Sequence, residues 1–181
     1  MAPIELLPVG DDLSARADAR RLIIEYLTWL AGAAAQRYGL SFDVDAMVAG
    51  DLDDATKFRP PSGRLYIARR GGEAVGIGAV RRLSDSAAEV QRMYVPPQHR
   101  GAGVGRLIVE RLLADARAIG YTELRLESLR FLTAAHALYR AVGFVEVAPY
   151  EGNSMRAYQN DESDAAAKRY RESAVFMLRR L

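Results

Sequence analysis

Val95-Pro-Pro-Gln-His-Arg-Gly-Ala-Gly-Val-Gly-Arg106 is the stretch of this 181-residue chain whose residue types best suit chemistry. Gly101, Gly103 and Gly105 remove side chains where a backbone must bend tightly and approach a ligand. Residues of helical pattern follow directly. The first amides of a helix have no partner inside it, and the helix dipole favours an anion beside them. The amides of Arg100, Gly101, Ala102, Gly103, Val104 and Gly105 would form such a nest. Arg100 and Arg106 add positive charge next to it. A diphosphate is the natural guest. A Walker loop would need Gly-Lys-Ser/Thr, which is absent. A dinucleotide fingerprint would need a different third glycine spacing and a place after the first strand.

The surrounding pattern supplies the elements that must position this loop. Leu22, Ile23, Tyr26, Leu27 and Leu30 recur at helical spacing and predict a long helix over 12–38, capped by Asp11 or Asp12 and stopped by Gly39. A short helix is expected over 42–48. Lys57-Phe-Arg-Pro-Pro-Ser-Gly63 reads as a loop. Strands are expected at 64–69, 74–82 and 88–95, joined by Gly71-Gly72 and Ser84-Asp85-Ser86 as an antiparallel meander. Val104, Ile108, Leu112 and Ala116 form one stripe of a helix over 103–119, ended by Gly120. A strand at 122–126, a helix at 132–142 and short strands at 144–147 and 174–178 complete the order. Strand 88–95, helix 103–119 and strand 122–126 make a βαβ unit, which implies a parallel pair. The fold class is α/β (α+β): a mixed central sheet with helices on both faces. One domain over 1–181 is expected, with a polar insert at about 152–172.

Composition narrows the chemistry. The chain has no cysteine, so disulfides, thiolate metal sites and cysteine nucleophiles are excluded. His99 and His136 are too few for a histidine-built metal site, and no metal is expected. The formal net charge of +2 is too small to argue for nucleic acid, and the arginine pairs are scattered. Neither a secretory leader nor a membrane span is readable, so a cytoplasmic protein is expected.

Arg100-Gly-Ala-Gly-Val-Gly105 resembles the Arg/Gln-x-x-Gly-x-Gly/Ala motif of the GNAT acetyltransferase superfamily, with an overlapping register from Gln98. Met93-Tyr-Val-Pro96 resembles that family's cofactor strand, and Ala135-His-Ala-Leu-Tyr-Arg-Ala-Val-Gly-Phe144 its second signature helix. The resemblance covers residues 64–147. It implies a splayed pair of parallel strands, 88–95 and 122–127, with acetyl-CoA as co-substrate lying between them. Met93, Tyr94 and Val95 would meet the pantetheine arm, residues 100–106 the diphosphate, and Ser128 and Tyr139 the thiol end. An amine of a small molecule or peptide would attack the thioester directly. The oxyanion would meet an amide near Met93, and Tyr139 would protonate the leaving thiolate.

Glu89 falls in the matching stretch and is the candidate base. On an extended strand Glu89, Gln91, Met93 and Val95 share one face, with Glu89 roughly 13 Å from Met93 at about 3.3 Å per residue. That span calls for a water relay or a bulge. Glu127 is a second carboxylate, weighed equally as a cation-recognising group and as a solvated strand end. His136 reads as a packing residue, and His99 as a neighbour of the phosphates. Relatives place Asn where this chain has Leu132. Tyr26, Trp29 and Tyr38 read as core. Phe58 and Arg59 read as a connector, with an acceptor-lining role as the alternative. The insert at 152–172 reads as a lid or a homodimer contact. A non-catalytic acetyl-CoA-binding module and a scaffold used only for protein interaction stay open at this point.

Overall fold

The computed structural model describes residues 2–52, 56–150, 152 and 155–181. Seven strands form one sheet: β1 (Ile4–Pro8), β2 (Arg64–Arg70), β3 (Glu73–Arg82), β4 (Ala87–Tyr94), β5 (Glu123–Leu129), β6 (Val145–Val147) and β7 (Ala174–Arg180). Their spatial order is β1-β2-β3-β4-β5-β7-β6. The helices are α1 (Leu13–Tyr38), α2 (Val44–Leu52), α3 (Val104–Ile119), α4 (Thr133–Ala141) and α5 (Asp164–Ser173). β1 is the element absent from the sequence expectation. Its Ile4-Glu-Leu-Leu-Pro8 run pairs antiparallel with β2, and five residues carry too little alternation to show by themselves.

Every pairing in the sheet is antiparallel except β4 with β5. That parallel pair is short, running from Ala87↔Glu123 to Val90↔Leu126. Beyond it both strands continue without each other. β5 stays zipped to β7 along its whole length, from Glu123↔Arg180 to Leu129↔Ala174. The gap between β4 and β5 is therefore a wedge.

Strand alternation divides the core between the two faces of the sheet. Leu65, Ile67, Ile77 and Phe176 pack with α1 and α2 through Leu22, Ile23, Leu27 and Met47. Tyr66, Val75, Val80 and Met177 pack with α3 and α4 through Ile108, Leu112 and Tyr139. Asp12 caps α1, its side chain accepting from the Ala15 amide at 2.6 Å. Gly39 ends α1 in the left-handed conformation, φ 63°.

Two glycines of β3 set how closely α3 approaches the sheet. A Cβ on Gly76 would lie 2.7 Å from Val104 Cγ1, and one on Gly78 would press on Ile108 and Met93 Sδ. This contact fixes the first turn of α3, and hence the glycine loop before it. Gly78→Val is expected to lower stability by about 1–3 kcal/mol through overpacking. Urea unfolding measures it, and an unchanged midpoint would contradict the close contact.

Candidate functional site: a cleft between parting strands

The wedge opens into a cleft of 490 Å³. One wall is β4 from Glu89 to Tyr94 with Val95 just beyond it, and the other is Leu126, Glu127 and Ser128 of β5 with Leu138 and Tyr139 of α4. The loop from His99 to Arg106 closes one end. Chain geometry builds that loop in three steps. Pro97–His99 form a 3-10 turn. Gly101 and Gly103 then take φ 77° and 81°, in the left-handed region that side chains avoid. α3 starts at Val104 with Gly103 as its cap. Among the described residues, the amides of 101–106 donate to no backbone carbonyl, whereas Leu107 already donates to Gly103 at 3.0 Å. They are the open donors that a diphosphate needs. The Arg100 Nε donates to the Val95 carbonyl at 2.9 Å, and its guanidinium lies 5.6 Å from the Trp29 ring centroid. Arg106 pairs with Glu110 at 3.1 Å on the exposed face of α3. His99 lines the cleft end and meets Glu73 at 3.2 Å.

A β-bulge corrects the expected face of β4. Ala79↔Gln91 and Ile77↔Tyr94 differ in register by one residue, and Arg92 has φ 55°. The inserted residue switches the alternation. Glu89 and Gln91 therefore do not share a face with Met93. Met93 packs on the α3 side, while Tyr94 joins the α1 side. Tyr94 donates to Glu25 at 2.8 Å, and burial, then that bond, pushes its pKa up to about 12. The bulge also turns Arg92 into the interior, where it forms a two-pronged pair with Asp51 of α2. Lys57 reaches the same carboxylate at 2.6 Å.

Glu89 is 1 % exposed and fully engaged. Its Oε2 accepts from Arg81 Nε at 2.8 Å and Gln91 Nε2 at 2.6 Å, and its Oε1 accepts from the Tyr150 hydroxyl at 2.8 Å. Glu127 differs. It is the first residue of β5 past the last rung shared with β4. Its Oε2 accepts from the Met155 amide at 3.3 Å, and its buried Oε1 has no hydrogen-bond partner among the described residues. Burial first, then the negative charge of Glu89, raises its pKa from the usual carboxylate range to about 8. The strand end is thus not simply solvated: Glu127 is half-buried, its Oε1 is enclosed, and the Met155 amide meets its Oε2.

The sign of the resulting pH dependence follows directly. Between roughly pH 4.5 and 8 the folded state holds a proton that the unfolded state has lost. Stability from this group is whole below about pH 4.5 and falls as pH rises through about 8. Glu127→Gln is expected to flatten that fall and to stabilise the protein at pH 9 by on the order of 3 kcal/mol. Unfolding free energies at pH 5, 7 and 9 test it; identical slopes in both proteins would refute it.

Tyr139 lies where α4 meets the cleft, buried, with its ring 5.8 Å from Phe144. Burial raises its pKa, so the hydroxyl keeps its proton at neutral pH. Ser128 also lines the cleft and meets His136 Nε2 at 3.0 Å. His136 is buried, and burial, followed by Arg140, lowers its pKa and keeps it neutral. Leu132 lines the cleft as well.

The expectation for the aromatics of α1 changes. Tyr26 and Trp29, read as core, line the cleft from α1 with Phe131. Their three-residue spacing was the available sign of a shared face. Phe58 and Arg59 lie away from it, on a separate 300 Å³ hollow beside the start of α1. Of the polar insert, Met155 reaches the cleft and α5 packs Tyr170 against Phe42. Asn153 and Ser154 of that insert lie outside the described residues.

Residues 61–146 match the family described as acetyltransferase (GNAT) domain. A relative named IAA acetyltransferase, from Azospirillum brasilense, is 38% identical over 100 residues, covering 55% of this chain and 65% of its own length. An uncharacterized N-acetyltransferase of Schizosaccharomyces pombe is 31% identical over 141 residues, covering 75% of this chain and 80% of its own. The crystal structure of the PaiA N-acetyltransferase from Thermoplasma acidophilum in complex with coenzyme A superposes with a TM-score of 0.69 at 13% identity, covering 99% of both chains. With its parting strands and open helix-terminal amides, the chain belongs to the GNAT acetyltransferase family, a family of acyltransferases. Among the described residues, no helix is long and apolar enough to cross a membrane.

Proposed function

We propose that this protein moves the acetyl group of acetyl-CoA to a primary amine of a small molecule or peptide, by direct attack within a ternary complex. The observation that carries the reading is the row of undonated amides at 101–106, opening onto a cleft where β4 and β5 have parted. The residues present suit a diphosphate there: the amides are bare, a Cβ at Gly101 or Gly103 would meet only open space, and Arg100 flanks them. Coenzyme A in the Thermoplasma relative agrees with that choice.

In this reading the backbone of Met93, Tyr94 and Val95 pairs with the pantetheine arm in place of the missing strand neighbour. The Met93 amide faces the developing oxyanion. Tyr139 supplies a proton to the departing sulfur, helped by a hydroxyl that never ionises at neutral pH. Glu89 serves the reaction from within its network, since both its oxygens are occupied. No metal takes part, and neither nucleic acid nor a membrane is a partner. The protein acts in the cytoplasm, as one domain over 1–181.

The test is release of free thiol from acetyl-CoA against polyamines, aminoglycosides, amino acids and peptide N-termini. Acceptor-dependent release is expected. Tight coenzyme binding with no release for any acceptor would favour a non-catalytic acetyl-CoA-binding module.

A further inference from the structure

Aromatic rings gather on the α1 side of the cleft. Tyr26 and Trp29 of α1 stand 6.4 Å apart between ring centroids, and both lean on Tyr94 of β4, at 5.3 and 6.3 Å. Phe131, in the turn between β5 and α4, meets Trp29 edge-on at 5.7 Å, with 69° between the planes. The two rings make a corner across the mouth of the wedge, one from the β4 side and one from the β5 side. An aromatic used only as core would be covered, whereas Trp29 lines the cleft and is 39 % exposed.

The place of this corner assigns it to the acceptor rather than to the coenzyme. Tyr26, Tyr94 and Phe131 pack with the α1 face of the sheet, while Val95, Ala102 and Val104 around the open amides pack with the α3 face. A coenzyme whose diphosphate lies on the α3 side reaches the gap from there. The second substrate then enters from the α1 side, past the rings. Tyr26 stands at the inner end, close enough to Tyr139 for its charge to bear on that hydroxyl. Trp29 is one turn along α1, roughly 4.5 Å at about 1.5 Å per residue, and is the more exposed of the two.

Two cations decide what the corner can hold. Arg100 lies 5.6 Å from the Trp29 centroid, and Arg37 lies 5.2 Å from that of Phe131. An aromatic cage for an ammonium group works through the negative faces of its rings. Here guanidinium groups already lie over those rings, so a further cation would meet like charge at close range. A neutral, electron-rich ring gains instead. It stacks offset on one ring and edge-on to the other, the two arrangements aromatic pairs prefer. Leu132 and Met155 add apolar lining.

We propose that the acceptor is an arylalkylamine, with a flat aromatic ring on a short aliphatic arm, the ring seated between Trp29 and Phe131 and the amine reaching the gap between β4 and β5. This inference rests on the acetyl-transfer reading and narrows it. Trp29 and Phe131 are then specificity-determining residues, and amines with several positive charges are poor acceptors.

The test compares phenethylamine with ethylamine and spermidine, using the whole chain. The kcat/KM for phenethylamine should exceed that for either by at least about 50-fold, within what an apolar pocket discriminates. Trp29→Ala should cut the ratio of phenethylamine to ethylamine about 20-fold. Trp29→Phe should hold that ratio within about threefold, because a ring remains to stack. Phe131→Leu keeps bulk but loses the ring, and should cut the ratio about fivefold; it serves if Trp29→Ala folds badly. The chain has one tryptophan, so Trp29 emission reports the corner directly. In protein saturated with coenzyme A, phenethylammonium should change that emission saturably, and ethylammonium at the same concentrations should not. Spermidine used as well as phenethylamine, or a ratio unmoved by both ring-removing variants, would overturn this proposal and leave acetyl transfer standing. So would phenethylammonium that displaces coenzyme A instead of joining it. If no amine is acetylated, transfer itself fails, and the fluorescence titration decides separately whether the corner binds an aromatic amine.

Discussion

Gly103→Glu should abolish measurable coenzyme A binding, with an affinity loss of at least about 1,000-fold by calorimetry, equivalent to ~4 kcal/mol. Two effects combine. Gly103 has φ 81°, so any side chain there strains the turn by about 1–2 kcal/mol. A carboxylate at that point also sits among the amides that would hold the diphosphate, replacing several charge-assisted hydrogen bonds by repulsion. Gly103→Ala separates the two, because a Cβ there meets nothing within 4 Å. Alanine should keep most of the affinity and lose a little stability. If the glutamate variant stays folded by circular dichroism and still binds coenzyme A normally, the diphosphate is not at this loop.

Tyr139→Phe should lower kcat by about 100- to 1,000-fold, within the range for loss of a positioned proton donor. Its ring is buried against Phe144, and phenylalanine preserves that packing. Coenzyme A affinity and melting temperature should therefore hardly change. Single-turnover kinetics with acetyl-CoA and an accepted amine isolates the chemical step. Unchanged kcat with weakened coenzyme binding would make the hydroxyl a contact to the sulfur and nothing more.

The parts of this site that could be read from residue order are those built from local chain geometry. The glycine loop was legible because Gly101 and Gly103 are required wherever φ is positive, and because the stripe Val104, Ile108, Leu112 announces the helix that follows. The parallel pair followed from the βαβ order. What was not legible depends on one inserted residue or on distant coverage. The bulge at Arg92 leaves no mark in a run that alternates acceptably without it, yet it moves Met93 to the other face of the sheet from Gln91. Glu127 looked like a solvated strand end because the group that meets its carboxylate, the Met155 amide, lies 28 residues downstream. Asp51, in a short helix with no motif, gave no sign that it would meet Arg92 and Lys57.

The brevity of the β4–β5 ladder has a mechanical meaning. The sheet consists of two boards, β1 to β4 and β5 with β7 and β6, joined edge to edge by the pairs from Ala87↔Glu123 to Val90↔Leu126. Anything lodged in the notch between the boards acts as a splint across the joint. Ligand occupancy and the integrity of the whole molecule are then one equilibrium, and resistance to unfolding climbs with the logarithm of splint concentration.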